Sequence, residues 1–398
     1  MRLQIMNFGP IQEADINFGD LTFLIGPQAS GKSLSLELLK LILDKQHIIS
    51  TFRNYNYILS KTDTKNILNW YFGDGLSGLF KEDTKISWAD KPFVPQDLLK
   101  IISKQKASEL QKELVFYVPA QRTLSIADGR PKNFMEYDTS NPYVLRRFSE
   151  ILRVFLQGGL GNPDVIFPMK TRLKNAVKNS IKNTIFHNGK IVIDKTGEQR
   201  KMKLEIDGMK IPFMAWSAGQ REFMPLLLAI YCLSGPPSQV IQKGDYQWAI
   251  IEEPEMGLHP RAIESVLLEI IELVQSGYKV VVSTHSTVFL EFVWAFNNLQ
   301  GLKEEDFRAA MCNIFNIHIN TTAANLFNKF KEKIIKTFYS AKQFSSEKVI
   351  FSDISSLDAF SENKDISEWG GLSSFASKSS DIVSYYGEYI QKDGGNNI

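Results

Sequence analysis

The sequence predicts an α/β fold: a mixed sheet, mostly parallel, with an N-terminal antiparallel β portion and a helical, basic insertion. Three observations predict it. Short apolar runs at the N-terminus alternate with turn residues. A buried strand-like run, LTFLI, passes through a glycine-rich loop directly into a run with helical spacing. Further on, QWAIIEEPE, RAIESVLLEIIELVQSG and YKVVVSTHS read as strand, helix and strand, and that order implies a parallel βαβ unit.

In chain order, RLQIM, ADINF and LTFLI are strand-like and are separated by Gly9-Pro10 and Gly19-Asp20, both turn signals. From Ser33, SLSLELLKLILDKQ carries apolar residues at helical spacing. Residues 44–110 show no organising period. The run Glu113 to Ala120 reads as a buried strand ending at Pro119. Between Tyr143 and Lys210 the composition shifts to 14 Lys and Arg against 6 Asp and Glu. There PMKTRLKNAVKNSIKN reads as a helix with Pro168 at its first position. Lys170, Lys174, Lys178 and Lys182 form a basic stripe on it, while Leu173, Val177 and Ile181 line another face. The stretch IVIDKTGEQRKMKLEI reads as a hairpin with Thr196-Gly197 near its turn. From about Ser345 the chain is serine-rich and reads as a looser tail. The expected units are 1–140 and 216–295 as two parts of one domain, 141–215 as the basic insertion, and 296–398 as a helical, serine-rich docking region.

The 398 residues carry a formal net charge of only +2, so global electrostatics gives no argument for nucleic acid or an anionic membrane. Charge is instead segregated into the insertion. No run reaches the roughly 18 apolar residues that a membrane span needs, and the N-terminus lacks the apolar core of a signal peptide. A cytoplasmic location is expected, with no membrane partner. Two cysteines, Cys232 and Cys312, sit in apolar surroundings without metal-type spacing, which argues against disulfides and zinc.

Four stretches carry chemistry. GPQASGKS, comprising Gly26, Pro27, Gln28, Ala29, Ser30, Gly31, Lys32 and Ser33, fits G-x-x-x-x-G-K-S between a strand and a helix. Its N–H groups can cradle the phosphates of ATP, Lys32 can reach the β and γ phosphates, and Ser33 can hold Mg²⁺. IIEEPE ends a buried strand in adjacent carboxylates, which are costly there unless they meet a cation or handle protons. Glu252 is expected to support Mg²⁺ and Glu253 to orient or deprotonate the attacking water. STHS ends the next strand, and His285 in it could polarise the γ-phosphate. SAGQRE places Ser217, Gly219 and Gln220 at the start of an apolar helix, where unpartnered N–H groups favour an anion.

In that order, GPQASGKS, SAGQRE, IIEEPE, MGLHP and STHS resemble the Walker A, signature, Walker B, D-loop and H-loop of P-loop ABC-type ATPase heads. The LHP form is similar to the SMC, RecF and OLD branch. The resemblance covers roughly residues 1–35 and 113–290. It implies that Ser217 and Gly219 bind the γ-phosphate of ATP held by a second subunit, so that ATP joins a homodimer or a higher oligomer. It also makes Gln121 the candidate Q-loop ligand of Mg²⁺. The sequence departs from the family in having Glu252 where Asp is usual, and in lacking a long coiled coil.

OLD-type proteins carry a C-terminal nuclease. About 110 residues follow His285, too few for that domain plus connectors, and Asp353 and Asp358 are loosely spaced. No nuclease activity of this chain is expected. Two roles remain on resemblance: an ATP-driven switch holding an effector protein in an anti-phage or toxin–antitoxin-like system, and a RecF-like ATPase clamping duplex DNA. In the second, the stripe from Lys170 to Lys182 would meet phosphates.

Overall fold

The computed structural model describes residues 1–104, 111–160, 164–169, 172–195, 200–235, 245–342 and 348–394. The three expected N-terminal strands are β1 (Arg2–Phe8), β2 (Ile11–Asn17) and β3 (Leu21–Ile25). Helix α1 (Lys32–Asn54) follows the glycine-rich loop directly. The stretch without a period holds the rest of α1, then α2 (Lys65–Phe72), the strands β4 (Phe80–Trp88) and β5 (Lys91–Phe93), and α3 (Gln96–Lys104). After β6 (Val115–Val118), a short pair, β7 (Ile126–Ala127) and β8 (Arg130–Pro131), leads to α4 (Tyr143–Val154), which widens into a π-helical turn at Phe155–Gly159.

Next come β9 (Val165–Phe167), α5 (Asn175–Thr184), β10 (Lys190–Asp194), β11 (Lys201–Ile206) and β12 (Met209–Pro212). The chain continues through α6 (Ala218–Ser234), β13 (Trp248–Glu252), α7 (Pro260–Gln275), β14 (Lys279–Thr284), α8 (Thr287–Leu299) and α9 (Glu304–Ile314). It closes with β15 (Ile335–Lys342), β16 (Val349–Asp353), α10 (Lys364–Ser367) and α11 (Ser374–Gly394).

The main sheet has ten strands in the order β5-β4-β1-β2-β16-β15-β3-β14-β13-β6. Strands β15, β3, β14, β13 and β6 run parallel to one another, whereas β16 is antiparallel to β15, and β1 is antiparallel to β2 and β4. This is the mixed sheet with an N-terminal antiparallel portion. Its parallel strands are covered on both faces, which is why LTFLI, VFYV and WAIIE are continuous apolar runs and buried throughout. The alternating burial of β1 marks a strand covered less fully.

Two expectations need correction. The chain beyond Ser345 is no loose tail, because β16 lies between β15 and β2 in the main sheet; with β15 itself beside β3, a boundary at 296 also cuts through one sheet. The helical insertion forms, with α4 and α5, and beyond the expected hairpin β12, β11, β10 and β9 make a four-stranded sheet of their own in it. Pro168 does not start a helix; Phe167 is still paired with Ile191 in that sheet, and α5 begins only at Asn175. The β10–β11 hairpin forms as expected, while Thr196 and Gly197 lie outside the described residues. Phe8 is a core aromatic, fully buried against Phe72 and Phe80, and both cysteines are buried free thiols.

A buried ionic cluster fixes α1 against β6 and α4. Lys40 Nζ lies 2.8 Å from Asp44, 2.9 Å from Glu113 and 2.7 Å from the Val115 carbonyl. Arg147 donates to Glu113 at 2.7 Å, and His47 Nε2 stands 3.6 Å away. Burial raises the Glu113 carboxyl, but Arg147, Lys40 and His47 outweigh it and hold it well below the usual carboxylate range. A carboxyl with a depressed folded-state pKa stabilises the fold above its unfolded value, about 4.3, and loses that contribution as pH falls through the folded value. Removing one member of a buried pair typically costs about 3–5 kcal/mol. Glu113→Gln should therefore lower the urea-unfolding free energy at pH 7 by roughly that much. Its stability should also fall less steeply than that of the wild type as pH drops below about 4.

Candidate functional site

Parallel α/β sheets bind ligands outside the carboxyl ends of their strands, and here those of β3, β14, β13 and β6 lie side by side. The loop leaving β3 turns into α1 at Gly31, whose φ of 79° is left-handed. A Cβ there would come 2.7 Å from Ile11 Cγ1, so both the turn and the space require glycine. Lys32 is buried in the loop it follows: Nζ donates to the carbonyls of Gly26 at 2.7 Å and Pro27 at 2.8 Å. Burial lowers its pKa, with Glu253, Glu252 and Glu255 opposing. The hydroxyls of Ser30 and Ser340 are 2.7 Å apart, which fastens the loop to β15.

A cleft of about 630 Å³ opens over the loop; Gln28 to Leu34, Gln121, Glu222, Glu253 and His285 line it. Glu252, 2 % exposed, does not line it but bonds to a residue that does, its Oε2 accepting the Ala120 N–H at 3.1 Å. Its Oε1 makes no hydrogen bond of normal geometry among the described residues, with the Ser33 and Tyr117 hydroxyls beside the carboxyl. Burial raises the Glu252 carboxyl, and the Ser33 hydroxyl and Ala120 N–H pull it back. Glu253, the next residue, has φ 42°, a left-handed conformation that costs a non-glycine residue about 1–3 kcal/mol. That turn sends its carboxylate into the cleft, 3.4 Å from His285 Nε2. The hydrogen bond with His285 is the main reason that the Glu253 carboxyl sits below the usual range.

Two further residues build this arrangement, and sequence reading assigned neither a role. Arg122, fully buried, donates to the carbonyls of Glu252 at 2.9 Å, Glu253 at 3.0 Å and Glu222 at 3.0 Å. It thereby holds the backbone of both acids and the start of α6 together. Glu255 accepts the Thr284 hydroxyl at 2.7 Å and the His285 N–H at 2.6 Å, and so sets where the His285 ring begins. The available signals were adjacency, Arg122 after Gln121 and Glu255 in the same acidic run; neither discloses a partner more than 25 residues away.

Ser217, Gly219 and Gln220 do not line this cleft. Ser217 is exposed and caps α6, with its Oγ accepting the Gln220 N–H while the Gln220 side chain accepts the Ser217 N–H. The Gln220 amide also donates to the Ile185 carbonyl at 3.1 Å, so its side chain is engaged within the fold rather than presented to an anion. At Gly219 a Cβ would meet the Gly257 carbonyl at 2.4 Å, so the helix start packs against the MGLHP loop. In the basic stripe, Lys174 precedes α5 and pairs with Glu272 of α7 at 3.3 Å; Lys178 and Lys182 lie on α5, and Lys170 is outside the described residues. Lys174, Lys178 and Lys182 thus follow one another at one-turn spacing from the N-cap of α5.

Residues 1–134 match the family described as AAA ATPase domain, and residues 162–291 match the family described as AAA domain, putative AbiEii toxin, Type IV TA system. The two matched stretches contain every residue of the cleft. The chain has the fold of an AAA/ABC-type ATPase. A stretch of 56 residues is 45% identical to the Old nuclease of Escherichia phage P2; it makes up 14% of this chain and 10% of that protein. The chain thus spans about a tenth of the length of that relative. Among solved structures, the SMC head domain from Thermotoga maritima aligns at TM-score 0.37 and 11% identity, over 88% of this chain and 97% of that one. An Smc head domain with an extended coiled coil, bound to the C-terminal domain of ScpA derived from Pyrococcus furiosus, aligns at 0.36 and 12%, over 88% and 95%. No helix among the described residues is long and apolar enough to cross a membrane.

Proposed function

We propose that this ATPase is a nucleotide-driven switch in which ATP, sandwiched between two copies, controls an effector protein in an anti-phage or toxin–antitoxin-like complex. The observation that supports the sandwich is the separation of Ser217 and Gly219 from the cleft of their own chain. Ser217 is exposed at the start of a helix whose free N–H groups suit a phosphate, and a second copy can bring it one.

Within one cleft, Lys32 exchanges its Gly26 and Pro27 carbonyls for the β and γ phosphate oxygens, and the loop N–H groups from Gln28 to Ser33 take the rest. Glu253, ionised and held by His285, accepts the proton of the attacking water. His285 then faces the phosphate side as a hydrogen-bond donor. Ser33, Glu252 and Gln121 form the donor set for Mg²⁺: the Glu252 Oε1, without a hydrogen bond of normal geometry, lies in a buried site beside the Ser33 hydroxyl, and hard oxygen ligands are what that ion takes. When bound, the ion supplies positive charge to the phosphate oxygens.

Lys32→Ala should abolish binding of a fluorescent ATP analogue, measured by anisotropy, while leaving the thermal unfolding midpoint within a few degrees. Unchanged nucleotide affinity would refute the placement of ATP in this cleft. For the effector, co-purification with the Glu253→Gln variant from the native host should yield a stoichiometric protein. Recovery of protected duplex DNA without protein would replace the switch by a DNA clamp.

A further inference from the structure

A second cavity, of about 480 Å³, lies in the insertion, away from the ATP cleft, and shares no lining residue with it. Its walls come from the β7–β8 pair, the end of α4 with its π-helical turn, and the small sheet of β9, β10 and β11. Leu156, Ile166 and Met202 give it apolar walls, while Arg130, Arg153 and Arg200 give it cationic groups, and among the described residues no carboxylate lines it. Arg153 and Arg130 each have a carboxylate partner that does not line the cavity. Arg153 bonds Glu150 at 2.6 Å and Gln157 at 2.6 Å, and Arg130 stands 3.6 Å from Glu136. A guanidinium has five donors, so one carboxylate partner leaves it able to bind a further anion.

Size, shape and charge agree. Small-molecule sites span about 300–1,000 Å³, with mostly apolar walls and a few convergent polar groups. A π-helical turn interrupts regular hydrogen bonding and recurs at functional positions; here it brings Leu156 and Gln157 to the cavity wall. We propose that this cavity binds a small organic phosphate with a flat apolar body, its phosphate among Arg130, Arg153 and Arg200 and its body against Leu156, Ile166 and Met202.

The same cavity has a short mechanical route to the cleft. The chain passes from Arg122, the brace of the two acids, through Ser125 into β7 and β8, which form a cavity wall. The Ser149 hydroxyl of α4 bonds the carbonyls of Ser125 at 3.0 Å and Lys132 at 2.7 Å, clamping both ends of that segment. The Gly129 carbonyl accepts the Met202 N–H at 2.9 Å, which joins the hairpin to β11. A ligand that presses on the hairpin therefore acts on the segment carrying Arg122, and the site is a regulatory input to hydrolysis.

The test uses the full chain and two probes: 8-anilinonaphthalene-1-sulfonate, a fluorescent flat organic anion, and AMP as its competitor. Fluorescence titration should show one saturable site that AMP displaces. Arg130→Ala combined with Arg200→Ala should weaken the probe about tenfold or more, given the strength of hydrogen bonds to charged groups. Gln157→Trp, which fills the cavity without removing an arginine, should block it equally, and Lys32→Ala should leave it unchanged. Retained melting temperature of each variant shows that it is folded. Unsaturable binding, binding indifferent to both cavity variants, or binding lost with Lys32→Ala would overturn the proposal. Saturable probe binding that AMP fails to displace would overturn the phosphate class of the ligand.

Discussion

Glu253→Gln is expected to lower the steady-state ATPase rate by about 10²–10⁴-fold, the usual contribution of a positioned general base, while ATP still binds. The amide keeps the shape of the carboxylate but cannot take the proton of water. It also removes the charge that His285 faces at 3.4 Å, yet leaves the Arg122 contacts intact, because these go to the backbone. The loss should therefore fall on hydrolysis, with nucleotide affinity within a few-fold of the wild type. A single-turnover assay with radiolabelled ATP separates the two. Hydrolysis at the wild-type rate would remove Glu253 as the base.

Arg122→Ala should be costlier to the whole molecule. Its side chain is wholly buried and satisfies three backbone carbonyls, from Glu222, Glu252 and Glu253. A buried carbonyl left without a donor costs about 1–3 kcal/mol, and of the three Glu253 keeps the Met256 N–H at 3.1 Å. A loss of roughly 3 kcal/mol or more in unfolding free energy is expected, with hydrolysis falling further than the residual folded fraction explains, since the turn at Glu253 loses its brace. Arg122→Lys should recover part of the stability but little of the activity, because one ammonium cannot reproduce the planar fork. Denaturant unfolding and ATPase assays on the same preparations check both statements. Full activity in a folded Arg122→Ala protein would show that the brace is dispensable.

What the sequence disclosed follows from the range of the interactions involved. The glycine-rich loop, the acidic end of β13 and the STHS end of β14 each depend on a few neighbouring residues, so spacing and flanks reveal them. Their lateral placement followed from the βαβ order. Arg122 and Glu255 act across the fold, on partners more than 25 residues away, and no local period marks such contacts. The same holds for β15 and β16: they read as part of a serine-rich end because their pairing with β3 and β2 is set by tertiary contact alone. Pro168 suits a helix start, yet the strand ending at Phe167 and its pairing with Ile191 decided otherwise. At α6 the exposed Ser217 stands at the helix start as its spacing suggests, while the bond from Gln220 to the Ile185 carbonyl, 35 residues away, has no local signal.

The central claim, that ATP joins two copies through Ser217, is tested most directly by light scattering of Glu253→Gln after size exclusion, with and without ATP. The chain should elute at its own mass of 45.3 kDa without nucleotide and at twice that, or a higher multiple, with ATP. Adding Ser217→Arg should hold it at the single-chain mass while the fluorescent ATP analogue still binds. A mass that does not respond to ATP, or ATP-dependent association that survives Ser217→Arg, would contradict the account.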